Sequence, residues 1–345
     1  MRTFGITLAV CGVAAAVATF ALNALPSSVN LASQLTLEQT IDNIEVEFQN
    51  YAANYGKNYE TVEDYQTRLA IFRQNKIKNA QLNAQNSGAE FGITQFSDWT
   101  LEEFKAIQGA KDIDLSEFPE QFEEIELEQA VNGPIDWRSQ GKVNAVKNQG
   151  NCGSCWAFSA TATMESIHAI NKGQLNRLSE QEVVDCSHTG NNGCSGGMYD
   201  RAWNDMQKLG GFQTESSYPY TAKAGTCRFN KGSVAAIPAG QTQIRRNDPN
   251  AIKAALVNGP VSIALAAGNP YFQGYKGGVL SDSRCPTQID HAVVAVGWGT
   301  TGSQDYFIIR NSWGASWGEQ GHIRIAAASG AGVCGMNTYP AQVKA

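Results

Sequence analysis

The sequence has no run of lysine or arginine, no aromatic-basic stripe and no Asn-x-Ser/Thr sequon. The first two absences argue against nucleic-acid binding. The third leaves a glycan-dependent route to the lysosome without support. No long apolar run occurs beyond the N-terminus, which excludes a polytopic membrane protein. Charged residues make up 17% against 42% hydrophobic, so the chain is globular in composition and not disordered. Histidine is scarce, with four in 345 residues, and no second CxxC and no HxxxH accompanies the one CxxC pair. That poverty removes the ligands a zinc site would need. Glycine is abundant instead, at 34 residues, and implies many turns.

A length of 345 residues suits two compact domains or one domain with an appended segment. Charge divides the chain. Residues 25–130 carry 19 acidic and 7 basic residues, a net of −12; residues 131–345 carry 13 and 18, a net of +5. The two parts should attract each other. Residues 112–128 hold 8 acidic residues and no basic one, the composition of an extended solvated linker. Gly133-Pro134 then opens a Gly-, Cys- and Trp-rich region, which sets a boundary near Val131. At the start, Met1-Arg2 precedes an uncharged stretch from Phe4 to Leu22, with small residues at Thr19, Ala21 and Ala24. This is the pattern of a signal peptide over residues 1–24, cut after Ala21 or Ala24; a retained signal anchor is the alternative.

Export permits disulfides. With Cys11 removed in the signal, seven cysteines remain, all after residue 150. Three bridges would leave one thiol over, and a leftover thiol in an exported protein is either accidental or reactive.

Apolar spacing reads residues 36–83 as helical, with faces at Leu37, Ile41, Ile44, Val46 and Phe48, then at Tyr65, Leu69, Phe72, Ile77 and Leu82, broken at Gly56. Trp156 to Ile170 reads as a buried helix ending at Gly173, with further helix at Ser179–Val184 and Tyr199–Leu209. From Val261 onward, VSIALA, HAVVAVGW, DYFIIR and GHIRIA read as strands between glycine-rich turns. A helical first half and a β-rich second half predict two unlike lobes with a cleft between them.

The segment QGNCGSCWAFS, residues 149–159, is the richest in chemistry. A thioredoxin-like dithiol would need a preceding strand in a βαβ unit, which the pattern lacks. In the remaining reading Cys155 opens a helix, where the N-terminal dipole stabilises a thiolate. Such a nucleophile needs a base. His168 lies 13 residues along the same helix, roughly 20 Å away at 1.5 Å per residue, and cannot reach it. His188 and His322 read as ordinary surface or structural histidines. His291 opens the strand HAVVAVGW, and antiparallel pairing around a turn at Gly299–Gln304 sets Asn311 beside it. An Asn amide oxygen there fixes the imidazole tautomer.

These motifs, with DHAVVAVGWG and NSWGASWG, resemble those of papain-family cysteine peptidases of the cathepsin L-like branch over residues 131–345. The family pattern C-G-[SA]-C-[WY] carries its His and Asn roughly 130–150 residues downstream; here they follow Cys155 by 136 and 156 residues. The resemblance implies an α+β, papain-like two-lobe fold: a helical left lobe, a β-barrel-like right lobe and an active-site cleft between them, preceded by a helical propeptide. It implies Cys155 as nucleophile, His291 as general base and acid, Asn311 as orienter, and Gln149 as oxyanion donor together with the N–H of Cys155. Trp313 would cover the His–Asn pair. It implies the disulfides Cys152–Cys194, Cys186–Cys227 and Cys285–Cys334, leaving Cys155 as the odd thiol. Gly196 and Gly197 would form the cleft wall against which substrate adds as a strand. Met198, Ala264, Ile289 and Ala292 would line the pocket for the side chain two residues before the cut, favouring an apolar or aromatic one. After Cys334 the stretch GMNTYPAQ is shorter than the family pattern, so the pocket floor is open between Thr338 and Tyr339.

Residues 36–110 resemble the family's inhibitory propeptide, which implies an inhibitory segment over 25–130. Arg68, Ile71, Phe72, Asn75 and Asn83 match one motif, with Asp64 for Glu and Asn79 for Ile. Gly92, Phe96 and Asp98 match a second, with Thr94 for Asn. The implied protein is a cysteine endopeptidase zymogen, since no His-His insertion of the exopeptidase kind is present. Its substrates are proteins and peptides, its propeptide is an intramolecular inhibitor, and residues 99–130 cross the cleft in reverse of a substrate. It needs no metal or cofactor, binds no nucleic acid and is a monomer of the secretory pathway, in the lysosome or a digestive vacuole, or secreted. Three rivals have other sequence requirements. A silent binding protein on this fold would lack Cys155 or His291; a free propeptide-type inhibitor would act without residues 131–345; an acyl transferase would use the same thiol.

Overall fold

The computed structural model describes residues 31–85, 87–110 and 133–345. The expected signal peptide, the acidic stretch 112–128 and the boundary at Val131 lie outside them. The chain divides into two compact units, Met1–Arg73 and Gln74–Ala345.

In the first unit, helix α1 spans Leu31–Asn54 and α2, Val62–Ala84, begins. Aromatic rings hold them together: Phe48 lies 5.3 Å from Phe72, and Tyr51 5.0 Å from Phe72. Such ring pairs contribute beyond their area. Val46 is exposed, against the sequence reading, because the helix turns that position away from the Phe48 face.

The second unit takes up α2 at Gln74. Here the inward positions include polar ones: Ile77 is exposed and Asn79 is buried. The reason lies in the chain that follows. Asn83 donates to Phe91 O and accepts from Phe91 N, both at 2.8 Å. Asn79 donates to Gly92 O at 2.8 Å, and Asn75 to Ser97 O and Trp99 O at 2.9 Å. A row of amides thus bonds to backbone groups between Phe91 and Trp99. That backbone includes β1, Ala89–Phe91, and leads to α3, Leu101–Ala106, closed at its start by a capping box of Thr100 and Glu103.

From residue 133 the order is β2 (Ile135–Asp136), α4 (Cys155–Lys172), α5 (Glu180–Cys186), α6 (Tyr199–Leu209), β3 (Phe212–Gln213), β4 (Val234–Ala236) and β5 (Gly240–Gln243). It continues with α7 (Pro249–Asn258), β6 (Val261–Leu265), α8 (Pro270–Gln273), β7 (Tyr275–Leu280), β8 (His291–Thr301), β9 (Gln304–Arg310), β10 (His322–Ala326) and β11 (Ala341–Lys344). Helix α4 stops at Gly173, whose φ of 77° is the left-handed conformation glycine tolerates. The main sheet runs β1-β7-β10-β9-β8-β6-β11-β5, with β2 also on β8. Only the β7–β10 pair is parallel. One hydrophobic core packs on this sheet around Phe272, Trp313 and Trp317, and a second surrounds Trp156 and Trp203 between the helices.

The sequence reading did not include α3, α7 or α8, nor strands β1 to β5, β7 and β11; these strands are short or polar, and pairing with their neighbours forms them. The β8–β9 hairpin closes further out than expected, at Gly302-Ser303, with Thr301 opposite Gln304. A bulge between Ala295 and Gly297 then shifts the register by one residue, giving Val294 opposite Arg310.

Candidate active site

Cys155 is the first residue of α4, and Ser154 is the N-cap. Among the described residues the disulfides are Cys152–Cys194, Cys186–Cys227 and Cys285–Cys334, and Cys155 is the free thiol. Across from it, β8 begins with His291 and Asn311 follows the end of β9. Despite the register shift, His291 Nε2 meets Asn311 Oδ1 at 2.8 Å. Asn311 Oδ1 also accepts from Ser312 N at 2.8 Å, which leaves the oxygen facing the ring. With Nε2–H donating to Asn311, Nδ1 is the basic nitrogen, and it is buried without a hydrogen-bond partner. The next residue, Ala292, donates its N–H to Cys155 Sγ at 3.4 Å. The imidazole and the thiol are therefore neighbours.

Trp313 stacks on His291, with ring centroids 4.7 Å apart, and is itself packed edge-on by Trp317 at 4.9 Å. Excluding water from the His–Asn bond strengthens it. Gln149 is fully buried. Its Oε1 accepts from Ser312 Oγ at 2.6 Å and its Nε2 donates to Cys152 O at 3.0 Å. Sequence reasoning missed two supports of this region. Tyr220 OH donates to Gln149 O at 2.8 Å and lies 2.7 Å from Ser154 Oγ, and Asp290 presents its backbone oxygen. Nothing local marks Tyr220, 71 residues from Gln149; Asp290 was marked only by preceding His291.

The cleft is filled by the protein's own chain. Gln149 Nε2 donates to Ile107 O at 3.0 Å, Gly197 N to Gly109 O at 2.9 Å, and Ala110 N to Asp290 O at 2.8 Å. The segment 107–110 thus runs from Gln149 toward Gly196 and Gly197. Gly109 is required for its closeness: a Cβ there would stand 2.0 Å from Gly153 O. Further back, Phe96 and Phe104 pack on Trp313 at 5.4 and 5.2 Å, and Gln95 Nε2 donates to Trp313 O at 2.6 Å. Strand β1 extends the main sheet through β7.

Of the expected pocket residues, Met198, Ala264 and Ala292 are buried in one cluster, and Ile289 packs against it. Ala264 and Ala292 are opposite partners on β6 and β8. Tyr339 belongs to the cluster, whereas Thr338 turns its hydroxyl back to Gly335 O at 2.7 Å.

Burial dominates the electrostatics of this covered state. It pushes the Cys155 thiol up to about 12, against the downward pull of the N–H groups of Ala292, Gly109 and Trp156. It pushes His291 down to about 4, against the Asn311 hydrogen bond. The helix dipole does not yield a thiolate here, because it contributes about 1 kcal/mol while desolvation shifts buried groups by several pH units. Burial in this covered state thus disfavours both the thiolate and the imidazolium.

Comparison with known proteins bears on this geometry. Residues 131–343 match the family model described as papain family cysteine protease, and residues 48–104 match the cathepsin propeptide inhibitor domain. Cysteine protease XCP2 of Arabidopsis thaliana is 39% identical over 307 residues, covering 86% of each chain. A cathepsin L-like peptidase of Aedes aegypti is 38% identical over 82% of this chain and 88% of its own. The structure of a recombinant stem bromelain precursor superposes with a TM-score of 0.80 at 37% identity, over 88% of this chain and 99% of that one. Digestive procathepsin L 3 from the larval midgut of Tenebrio molitor gives 0.78 at 32% identity, over 88% and 99%. A thiol at a helix start, an imidazole beside it held by an amide, and a leader lying in the cleft are the parts such proteins need, and the chain belongs to the papain family of cysteine proteases, as a cysteine endopeptidase with a propeptide ahead of its catalytic domain.

Proposed function

We propose that Cys155, His291, Asn311 and Gln149 carry the hydrolysis of peptide bonds. His291 Nδ1 takes the thiol proton as Sγ attacks the scissile carbonyl carbon. Gln149 Nε2 and the N–H of Cys155 hold the resulting oxyanion. The C–N bond breaks and the leaving amine takes the proton from His291; water then attacks the acyl carbon with His291 as base, the C–S bond breaks, and His291 returns the proton to Sγ. Asn311 holds the ring, and Trp313 keeps water from their bond. The observation that carries this reading is the 2.8 Å His291–Asn311 bond next to a sulfur that accepts from Ala292 N at 3.4 Å.

Substrate adds as an extended strand along Gly196 and Gly197, with an apolar side chain, two residues before the cut, among Met198, Ala264, Ile289 and Ala292. The leader uses the same donors and acceptors. A substrate carbonyl at Gln149 with its preceding residues on Gly197 runs opposite to segment 107–110. The leader therefore fills the cleft as an intramolecular inhibitor without presenting a bond for attack. The mature enzyme starts near residue 131, after a signal over 1–24 and an inhibitory segment over 25–130. It works as a monomer of the secretory route, in a lysosome, a digestive vacuole or outside the cell. Acid releases the leader: carboxylates in 112–128 gain protons between roughly pH 5 and 3.5 and lose their attraction to the basic catalytic part.

The test is Cys155→Ser in the full chain, with wild type treated with a thiol-directed epoxide and mapped by peptide. Loss of peptidase activity with folding intact, and label on Cys155 alone after maturation, are expected. Substantial activity in the purified variant rejects the nucleophile.

A further inference from the structure

We propose that Tyr199 closes the pocket for the side chain two residues before the cut, so that the enzyme selects a small aliphatic residue there, alanine or valine, over leucine, aromatic or basic ones. The proposal rests on the peptidase reading above and narrows it.

Ala264 and Ala292 face each other across β6 and β8 and offer only methyl groups, which alone would leave a roomy pocket. The opposite side is made by the start of α6. Met198 is its N-cap and Tyr199 its first residue. Tyr199 is 0% exposed and lies in the same cluster as Met198, Ala264 and Ala292. Its ring is locked. The hydroxyl donates to Tyr339 O, the ring sits 5.7 Å from Tyr339 and 5.5 Å from Trp203. Tyr339 is fixed in turn, its hydroxyl donating to Asp200 Oδ2 at 2.9 Å. Displacing Tyr199 would break a buried hydrogen bond and overpack the ring against two others.

What the cleft accepts is visible in its occupant. Ala110 is bracketed by Gly197 N to Gly109 O and by its own N–H to Asp290 O. It is 0% exposed and belongs to the cluster with Tyr199 and Met198. The leader thus presents a methyl group to this pocket, and that group is fully enclosed. A longer side chain at that depth meets a phenol ring that cannot turn aside. A basic side chain would have to shed its water beside rings, and the carboxylate of Asp200 already accepts from Tyr339.

The experiment is a series of peptides differing only two residues before the cut, with alanine, valine, leucine, phenylalanine and arginine, assayed with mature enzyme. We expect kcat/KM for alanine and valine to exceed those for phenylalanine and arginine by about 10-fold or more, the scale of pocket discrimination. Tyr199→Ala should raise the phenylalanine-to-alanine ratio by about 10-fold, and Tyr199→Phe, which keeps the ring but loses its bond to Tyr339 O, should raise it less. If Tyr199→Ala does not mature, Tyr199→Leu provides the same widening in smaller measure. Wild type preferring leucine, phenylalanine or arginine overturns the proposal, as does an unchanged ratio in the widened variant. Cleavage with the wrong preference leaves the peptidase reading standing. No cleavage of any peptide, with no epoxide label on Cys155, means that the peptidase reading itself has failed.

Discussion

The side-chain amide of Gln149 donates to the carbonyl oxygen of Ile107 at 3.0 Å. The donor proposed for a substrate oxyanion is thus engaged by the protein's own leader. Inhibition and catalysis compete for one group, and substitutions there should act on both.

Gln149→Ala removes the proposed oxyanion donor from the mature enzyme. Turnover should fall about 10²-fold or more, with KM little changed, because the interaction matters in the transition state. Steady-state kinetics on mature protein decide; a change confined to KM makes Gln149 a binding residue only.

Asn311→Ala should cost less activity than His291→Ala. The first removes the 2.8 Å bond that holds the ring; the second removes the proton carrier. Both variants should keep the wild-type circular dichroism spectrum. Equal losses with altered spectra would mean that the site collapses in both.

Gly109→Val should loosen the leader. A Cβ at Gly109 would stand 2.0 Å from Gly153 O, a backbone atom that cannot move aside cheaply. In the unprocessed full-length protein, alkylation of Cys155 by iodoacetamide should quicken about 10-fold or more, since uncovering the thiol restores solvent and lowers its pKa. An alkylation rate equal to wild type would show that the tight approach is not what covers the thiol.

His322 gives the pH prediction. Burial, then Arg138 and Arg310, hold it down to about 4 from 6.5. The unfolded chain takes up this proton below about pH 6.5, whereas the folded chain does so only near pH 4. Stability from this group is full above pH 6.5 and is lost as pH falls toward 4, at about 1.4 kcal/mol per pH unit. His322→Asn, whose amide can donate as Nδ1 does to Gln320 O at 3.0 Å, should flatten the loss of stability over that window. Urea midpoints from pH 4 to 7 test it, and parallel curves for the two proteins would falsify the assignment.

The arrangement of the candidate site was legible because its signals are local. QGNCGSCWAFS places a thiol at a helix start, the odd cysteine count marks that thiol, and the hairpin of HAVVAVGW and DYFIIR brings His291 to Asn311 within 20 residues. That pairing survived a register error because Asn311 lies just beyond β9 and its side chain reaches diagonally. Helix α6 read correctly from period and end signals. The helix over Val62–Ala84 was legible too, but its inward face was not: Ile77 is exposed and Asn79 buried, because Asn79 donates to the backbone at Gly92.

Other features came only from tertiary packing. Gly109 passes Gly153 at a distance no side chain permits, Tyr220 pins Gln149 from 71 residues away, and Tyr199 bonds to Tyr339 across 140. The ionisation of the site belongs here too. By itself, the sequence pointed to a thiolate at a helix end. In the folded chain, segment 107–110 lies in the cleft and burial raises the thiol's pKa, against the thiolate. Periodicity and motif fix what lies within a helix or a hairpin. Pocket depth, cleft occupancy and desolvation arise where distant segments exclude water together, and only their packing decides them.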